Sequence, residues 1–260
     1  MRLSIPINLI LIILLGNGAL AQQHTLYQKN TFVKNGDSLP YRILLPKNYD
    51  SSKTYPLILV LHGAGERGSD NESQLVHGAN LFLKEEVRDE HHAIVVFPQC
   101  AIGSSWAKVD VKGNAPNREF VFHQNADPTI DMLLLEGLLQ QLKKTHKIDK
   151  KRIYVGGLSM GGMGTFELVR RNPRMFAAAF PICGGANPKI YKKLSGLDWW
   201  VFHGEADRVV PEKCSATMVY AMRNKGINVK YSLYPGVGHN SWDNAFSEPD
   251  LLTWLFSKSR

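Results

Sequence analysis

Arg152-Ile-Tyr-Val-Gly-Gly-Leu-Ser-Met-Gly-Gly-Met-Gly-Thr-Phe-Glu-Leu-Val-Arg170 decides how the rest of the chain is read. Its first part, Ile153, Tyr154 and Val155, is a short apolar run with β-branched residues at both ends, which suits a buried strand. Its last part places Met163, Phe166, Leu168 and Val169 at helical spacing and stops at Asn172-Pro173. Between them lies Gly157-Leu158-Ser159-Met160-Gly161, a G-x-S-x-G pattern. A strand that turns sharply into a helix crowds its own backbone, and residues without side chains relieve the crowding. Ser159 is then expected at the apex, strained and with its hydroxyl presented as a nucleophile. Two glycines and a serine at this spacing arise by chance roughly once in ten chains of this length. The pentapeptide therefore needs partners elsewhere in the sequence.

A serine hydroxyl attacks only when a base takes its proton, and the base needs an orienting acid. His239 is the last histidine of the chain. It sits in a glycine-rich loop, Tyr234-Pro-Gly-Val-Gly-His-Asn-Ser-Trp242, directly after a strand-like run. Asp207, in His203-Gly-Glu-Ala-Asp-Arg-Val-Val-Pro211, is the favoured acid because it follows another apolar strand. Glu205 and Asp243 lie close enough in sequence to compete. The oxyanion formed by attack on a carbonyl needs preorganised donors. The backbone N–H of Met160 is expected to supply one, and Ala64 or, second, Gly65 the other, from the small-residue loop His62-Gly-Ala-Gly65.

The 260 residues are 44% hydrophobic, enough for one substantial core. Arg2, the apolar run Ile7 to Leu15 and Ala19-Leu20-Ala21 read as a secretory leader over residues 1–21, with residues 22–260 as one catalytic domain. The expected location is secreted or periplasmic, without a stable membrane span after cleavage. Cys100, Cys183 and Cys214 allow at most one intramolecular disulfide or three buried thiols, and their spacing fits no zinc pattern. No metal or cofactor is indicated. The charge of +8 gathers at Lys143-Lys144, Lys147 and Lys150-Lys151-Arg152, which reads as a solvated helix end. No basic–aromatic repeat of a nucleic-acid reader is present.

Strands are expected at Leu26 to Val33 and Leu39 to Leu45, joined by an Asn35-Gly36 hairpin turn. Further strands fall at Leu57 to Leu61, Ala93 to Phe97, Phe176 to Ile182, Trp199 to Phe202 and Val229 to Tyr234. Helices are expected over 72–88, from a cap at Asp127-Pro128 through Leu142, over 212–224, and from Asn244 to Phe256. Cys100 to Gln124 shows no clear period and reads as a long loop, with Trp106 a candidate wall of a binding site and Trp242 a second. Strands alternating with helices give an α/β fold with a mostly parallel central sheet, helices on both faces, and the site at the strands' C-terminal ends.

Leu61-His-Gly-Ala-Gly-Glu-Arg-Gly68, Phe97-Pro-Gln-Cys100, Gly157-Leu-Ser-Met-Gly-Gly162, His203-Gly-Glu-Ala-Asp207 and Gly238-His-Asn-Ser-Trp242, in that order, resemble the secreted α/β-hydrolase esterases. More narrowly, they are similar to the carboxylesterase and predicted-peptidase group near the feruloyl and acetylxylan esterases of carbohydrate esterase family one. The resemblance covers residues 25–258, and Ser159, Asp207 and His239 each fall on a family position. It implies hydrolysis of a carboxylic ester, small or linked to plant cell-wall polysaccharide, outside the cytoplasm. Two other readings compete. One is a serine peptidase on the same machinery. The other is an inactive glycan-binding protein using Trp106, Trp199, Trp200 and Trp242. Trp199 and Trp200 should face opposite sides of one strand, which favours core packing for both.

Overall fold

The computed structural model describes residues 24–114 and 118–260. The expected leader, residues 1–21, lies outside the described residues. Ten strands form: β1 (Gln28–Lys34), β2 (Asp37–Leu44), β3 (Tyr55–Leu61), β4 (Ile94–Pro98), β5 (Val109–Lys112), β6 (Glu119–Phe122), β7 (Ile148–Leu158), β8 (Ala178–Ile182), β9 (Asp198–Gly204) and β10 (Val229–Tyr234). Eight of them make one sheet in the order β1-β2-β4-β3-β7-β8-β9-β10. β3, β4 and β7 to β10 run parallel, while β1 and β2 add an antiparallel edge. Asn35 and Gly36 both adopt positive φ (55° and 90°), the two-residue hairpin turn that their sequence predicts.

The unbroken apolar run of β3 is explained by cover on both faces. Leu57, Leu59 and Leu61 join one core with Ile153, Val155, Trp199 and Val201, against α2 (Ile130–Thr145), α3 (Met160–Arg171) and α4 (Lys213–Arg223). Ile58 and Val60 join the other with Tyr154, Phe180, Trp200 and Phe202, against α5 (Trp242–Phe246) and α6 (Leu251–Phe256). Trp199 and Trp200 thus face opposite cores, and both are fully buried. Among the described residues no helix is long and apolar enough to cross a membrane.

Several expected boundaries shift, each for a local reason. The helix expected over 72–88 is replaced by 3-10 turns at Ser73–Leu75 and Ala79–Leu83 and a short helix α1 (Glu85–Glu90). Gly78 breaks it at φ 81°, with the Phe246 ring packed where a Cβ would stand. The helix expected from Asn244 to Phe256 divides into α5 and α6 on either side of Pro249, which has no N–H to continue a helix. α2 begins after Thr129, not at Asp127-Pro128: the Thr129 hydroxyl accepts from the Met132 N–H at 3.1 Å and donates to Ser105 O at 2.7 Å. The stretch 100–124 is not structureless, because β5 and β6 pair as a separate antiparallel hairpin. Cys100, Cys183 and Cys214 are all free and buried, so the one-disulfide option is not realised.

Candidate active site

The elbow follows from close packing. At Gly161 a Cβ would stand 2.0 Å from Leu61 O, and at Gly157 one would stand 2.5 Å from the same oxygen. Only hydrogen fits, so β3 and the start of α3 can approach through this point. Ser159 is held between them at φ 54° and ψ −115°, a conformation costly for any residue with a side chain. Its own N–H donates to Ile182 O at 2.9 Å, which fixes the turn against β8.

The loops after β9 and β10 bring the other two groups to that apex. The Ser159 Oγ lies 3.0 Å from His239 Nε2, and His239 Nδ1 lies 2.7 Å from Asp207 Oδ2. An acceptor carboxylate beside Nδ1 places the ring proton there and leaves Nε2 free to accept from the serine hydroxyl. The other Asp207 oxygen accepts from the N–H groups of Val209 (2.8 Å) and Val210 (2.9 Å). Burial pushes the Asp207 carboxyl up, but hydrogen bonds from His203 and His239 outweigh it and hold the group well below the usual carboxylate range. Glu205 instead accepts from the Gly236 N–H at 3.1 Å, and Asp243 from the Asn240 side chain at 3.2 Å. Neither competitor is bonded to His239. The two loops also touch directly: a Cβ on Gly204 would stand 2.3 Å from Gly238 O.

Ala64, Ser159 and Met160 line one cavity of about 240 Å³; Gly65 is outside its lining. Met160 is the first residue of α3, so its N–H has no intrahelical acceptor. Trp106 does not wall this cavity. It is fully buried, its Nε1–H donates to His62 O at 3.1 Å, and its Cβ packs against Gly164. The expectation that Trp106 binds substrate is therefore corrected: an indole this large gains more from the core than from a half-wet rim. Trp242 stands edge-on to the His239 ring, with centroids 5.2 Å apart, and also packs on His77. It braces the histidine from outside the serine cavity. With Trp106, Trp199 and Trp200 all in the core, the tryptophan platform needed for a glycan-binding reading does not form.

Two histidines not expected at the site support it. His203 is buried beside Asp207, with Nε2 2.9 Å from Val210 O and 3.3 Å from Asp207 Oδ2, so Nε2 carries the proton. His62 accepts from the Cys100 N–H at Nε2 (2.9 Å) and donates from Nδ1 to Gly63 O (2.6 Å), which anchors the loop carrying Ala64. Burial pushes its pKa down to about 4 and keeps the ring neutral. Both histidines stand in the motifs quoted above, but a motif does not show depth. Cys183 Sγ, Asp207 and His239 lie within 4.8 Å of one another, a trio that could hold an ion. The facing atoms of Asp207 and His239 are already bonded to each other, and burial pushes the Cys183 thiol up, away from the thiolate that a metal prefers.

The chain matches the family model "Esterase", described as "Putative esterase", over residues 34–247. The chain belongs to that esterase family. It is 31% identical over 133 residues to a bifunctional acetylxylan esterase/xylanase of Neocallimastix patriciarum, a match covering 51% of this chain and 16% of the relative. It is 24% identical over 204 residues to a protein described as "Probable feruloyl esterase C" of Aspergillus oryzae, covering 77% of this chain and 67% of the relative. A solved structure described as a thermostable esterase superposes with a TM-score of 0.83 at 33% identity, covering 92% of this chain and 64% of that one. The described residues thus form an esterase-family domain with the α/β-hydrolase fold, as its motifs led us to expect, and the chain spans only part of the length of several of these relatives.

Proposed function

We propose that the protein is a serine carboxylesterase working through Ser159, His239 and Asp207, with an acyl-enzyme intermediate. The continuous hydrogen-bonded chain from the Ser159 hydroxyl, which lines a cavity, through His239 to the Asp207 carboxylate carries this reading. His239 Nε2 takes the hydroxyl proton as Oγ bonds to the ester carbonyl carbon. The N–H groups of Met160 and Ala64 meet the oxyanion. The tetrahedral intermediate collapses, the C–O bond to the alcohol breaks, and the alkoxide leaves with the proton from His239. Water then gives a proton to the same nitrogen as its oxygen attacks the acyl-enzyme carbonyl, and the second intermediate collapses, breaking the bond to Ser159 Oγ, which takes that proton back from His239 as the acid is released. Asp207 stays ionised throughout, orients the ring and stabilises its charged form.

The proposed substrates are feruloyl or acetyl esters of plant cell-wall polysaccharide, and the proposed location is outside the cytoplasm. The first is supported by the kinds of esterase among the relatives, the second by the leader-like residues 1–21. Ser159→Ala is expected to lower kcat on an aryl acetate by about 10⁴- to 10⁶-fold and to abolish fluorophosphonate labelling. Retention of most activity would exclude the mechanism. A panel of acetyl, feruloyl and long-chain esters, each with its matched amide, ranks the substrates and separates esterase from peptidase.

A further inference from the structure

The cavity that holds Ser159 is lined on its far side by the β5–β6 hairpin. Val109 and Val111 of β5 and Phe120 of β6 turn toward it, joined by Met163 from α3 and Val209 and Val210 from the turn after Asp207. Among these apolar groups is one cation, Arg118, which lies immediately before β6 and shares the facing side of the ribbon with Phe120. Its Nε is buried and has no hydrogen-bond partner among the described residues. The acids nearby do not serve it. Asp110 is 2.8 Å from His123, Glu119 is exposed on the opposite side of the ribbon, and Asp207 is bonded to His239. A donor buried without a partner is costly, and a guanidinium is built to meet oxygen acceptors. A cavity of about 240 Å³ has the volume of roughly eight waters, well beyond what an acetyl group fills.

We propose that Arg118 selects the acyl group: the preferred ester carries an apolar stem that ends in an oxygen acceptor, which the buried Nε–H meets when the carbonyl sits over Ser159. This rests on the serine-esterase reading of the same site. Two kinds of acyl group share that chemistry, a ring bearing neutral hydroxyl and methoxy oxygens and a stem ending in a carboxylate. Unsubstituted aryl or alkyl acyl groups and acetate lack it.

The test compares three methyl esters with one leaving group: cinnamate, 4-hydroxy-3-methoxycinnamate and 4-carboxycinnamate. The wild-type protein is expected to hydrolyse at least one oxygen-bearing ester with kcat/KM about 10-fold or more above cinnamate, a carboxylate gaining more than a neutral oxygen. Arg118→Leu should erase that preference, bringing kcat/KM for the three esters within about 3-fold of one another, and Arg118→Lys should restore part of it on the carboxylate alone. The ester that leads identifies which source of acceptor the site takes. Equal kcat/KM for all three in the wild type, or an equal fall on all three in Arg118→Leu, overturns the proposal. Ser159→Ala is run beside them: turnover surviving in that variant would mark failure of the serine mechanism rather than of Arg118 selection.

Discussion

Ser159, His239 and Asp207 are tied to one another and to backbone groups at 2.7–3.0 Å, whereas the hairpin beside them carries a guanidinium nitrogen with no partner among the described residues. The floor of the site is crowded to the point where Gly157, Gly161 and Gly204 cannot carry a methyl group. The hairpin wall is half-exposed, and its contacts with the cavity are made by a few alternate side chains. Chemistry common to every substrate can be built once and rigidly, with its three side chains paired to one another. Selection among substrates needs groups left unsatisfied until the right ligand arrives.

The most severe disturbance of the floor that spares the wall is Asp207→Asn. An amide N–H facing His239 Nδ1 would favour the wrong ring tautomer, and kcat is expected to fall by about 10⁴-fold. The ratios among the three cinnamate esters should persist in the residual activity. Steady-state kinetics on purified variant checks both, and a changed ratio would mean that the acid also shapes the cavity.

Trp106 tests where the border between floor and wall runs. By sequence it belongs to the loop that leads into the hairpin; by burial it belongs to the core beneath His62. Trp106→Ala should therefore cost about 3–5 kcal/mol in urea unfolding, with KM of the folded fraction little changed. A large rise in KM at unchanged stability would return this residue to the substrate side.

The smallest expected effect is a pH dependence confined to the floor. Burial lowers the His62 pKa to about 4, against an ordinary value of about 6.5. The unfolded chain therefore takes up a proton between those values that the folded chain refuses. The stabilisation is fully present above pH ~6.5 and is lost as pH falls toward 4, amounting to about 3 kcal/mol. His62→Gln, whose side-chain oxygen can still accept from the Cys100 N–H, should lose that much less between pH 7 and 4. Parallel urea titrations at the two pH values measure it, and equal losses would remove His62 as the cause. The hairpin's own histidine, His123, pairs with Asp110 near the surface and should add little to stability.

Much of the site is legible in the sequence because its chemistry demands particular residues at particular turns. The order Ser159, Asp207, His239, each after an apolar strand, is a consequence of a parallel sheet that presents all its loops at one end. The hairpin is not legible in the same way. Val109–Lys112 and Glu119–Phe122 are four-residue strands, too short for alternation to stand out from a polar stretch. Trp106 misleads for a related reason: a loop position says nothing about depth, and only the contacts with His62 and Gly164 reveal it.

Residue order alone sets the alternation of strands and helices, the strained elbow and the identity of the proposed nucleophile and base, because backbone crowding and hydrogen-bond chemistry leave few residue types possible there. Folding in three dimensions chooses which of three nearby carboxylates meets His239, stands His203 and His62 behind the reacting groups, and turns an arginine from a short hairpin toward the serine. Those outcomes depend on distances between segments far apart in the chain, and packing sets such distances where local preference cannot.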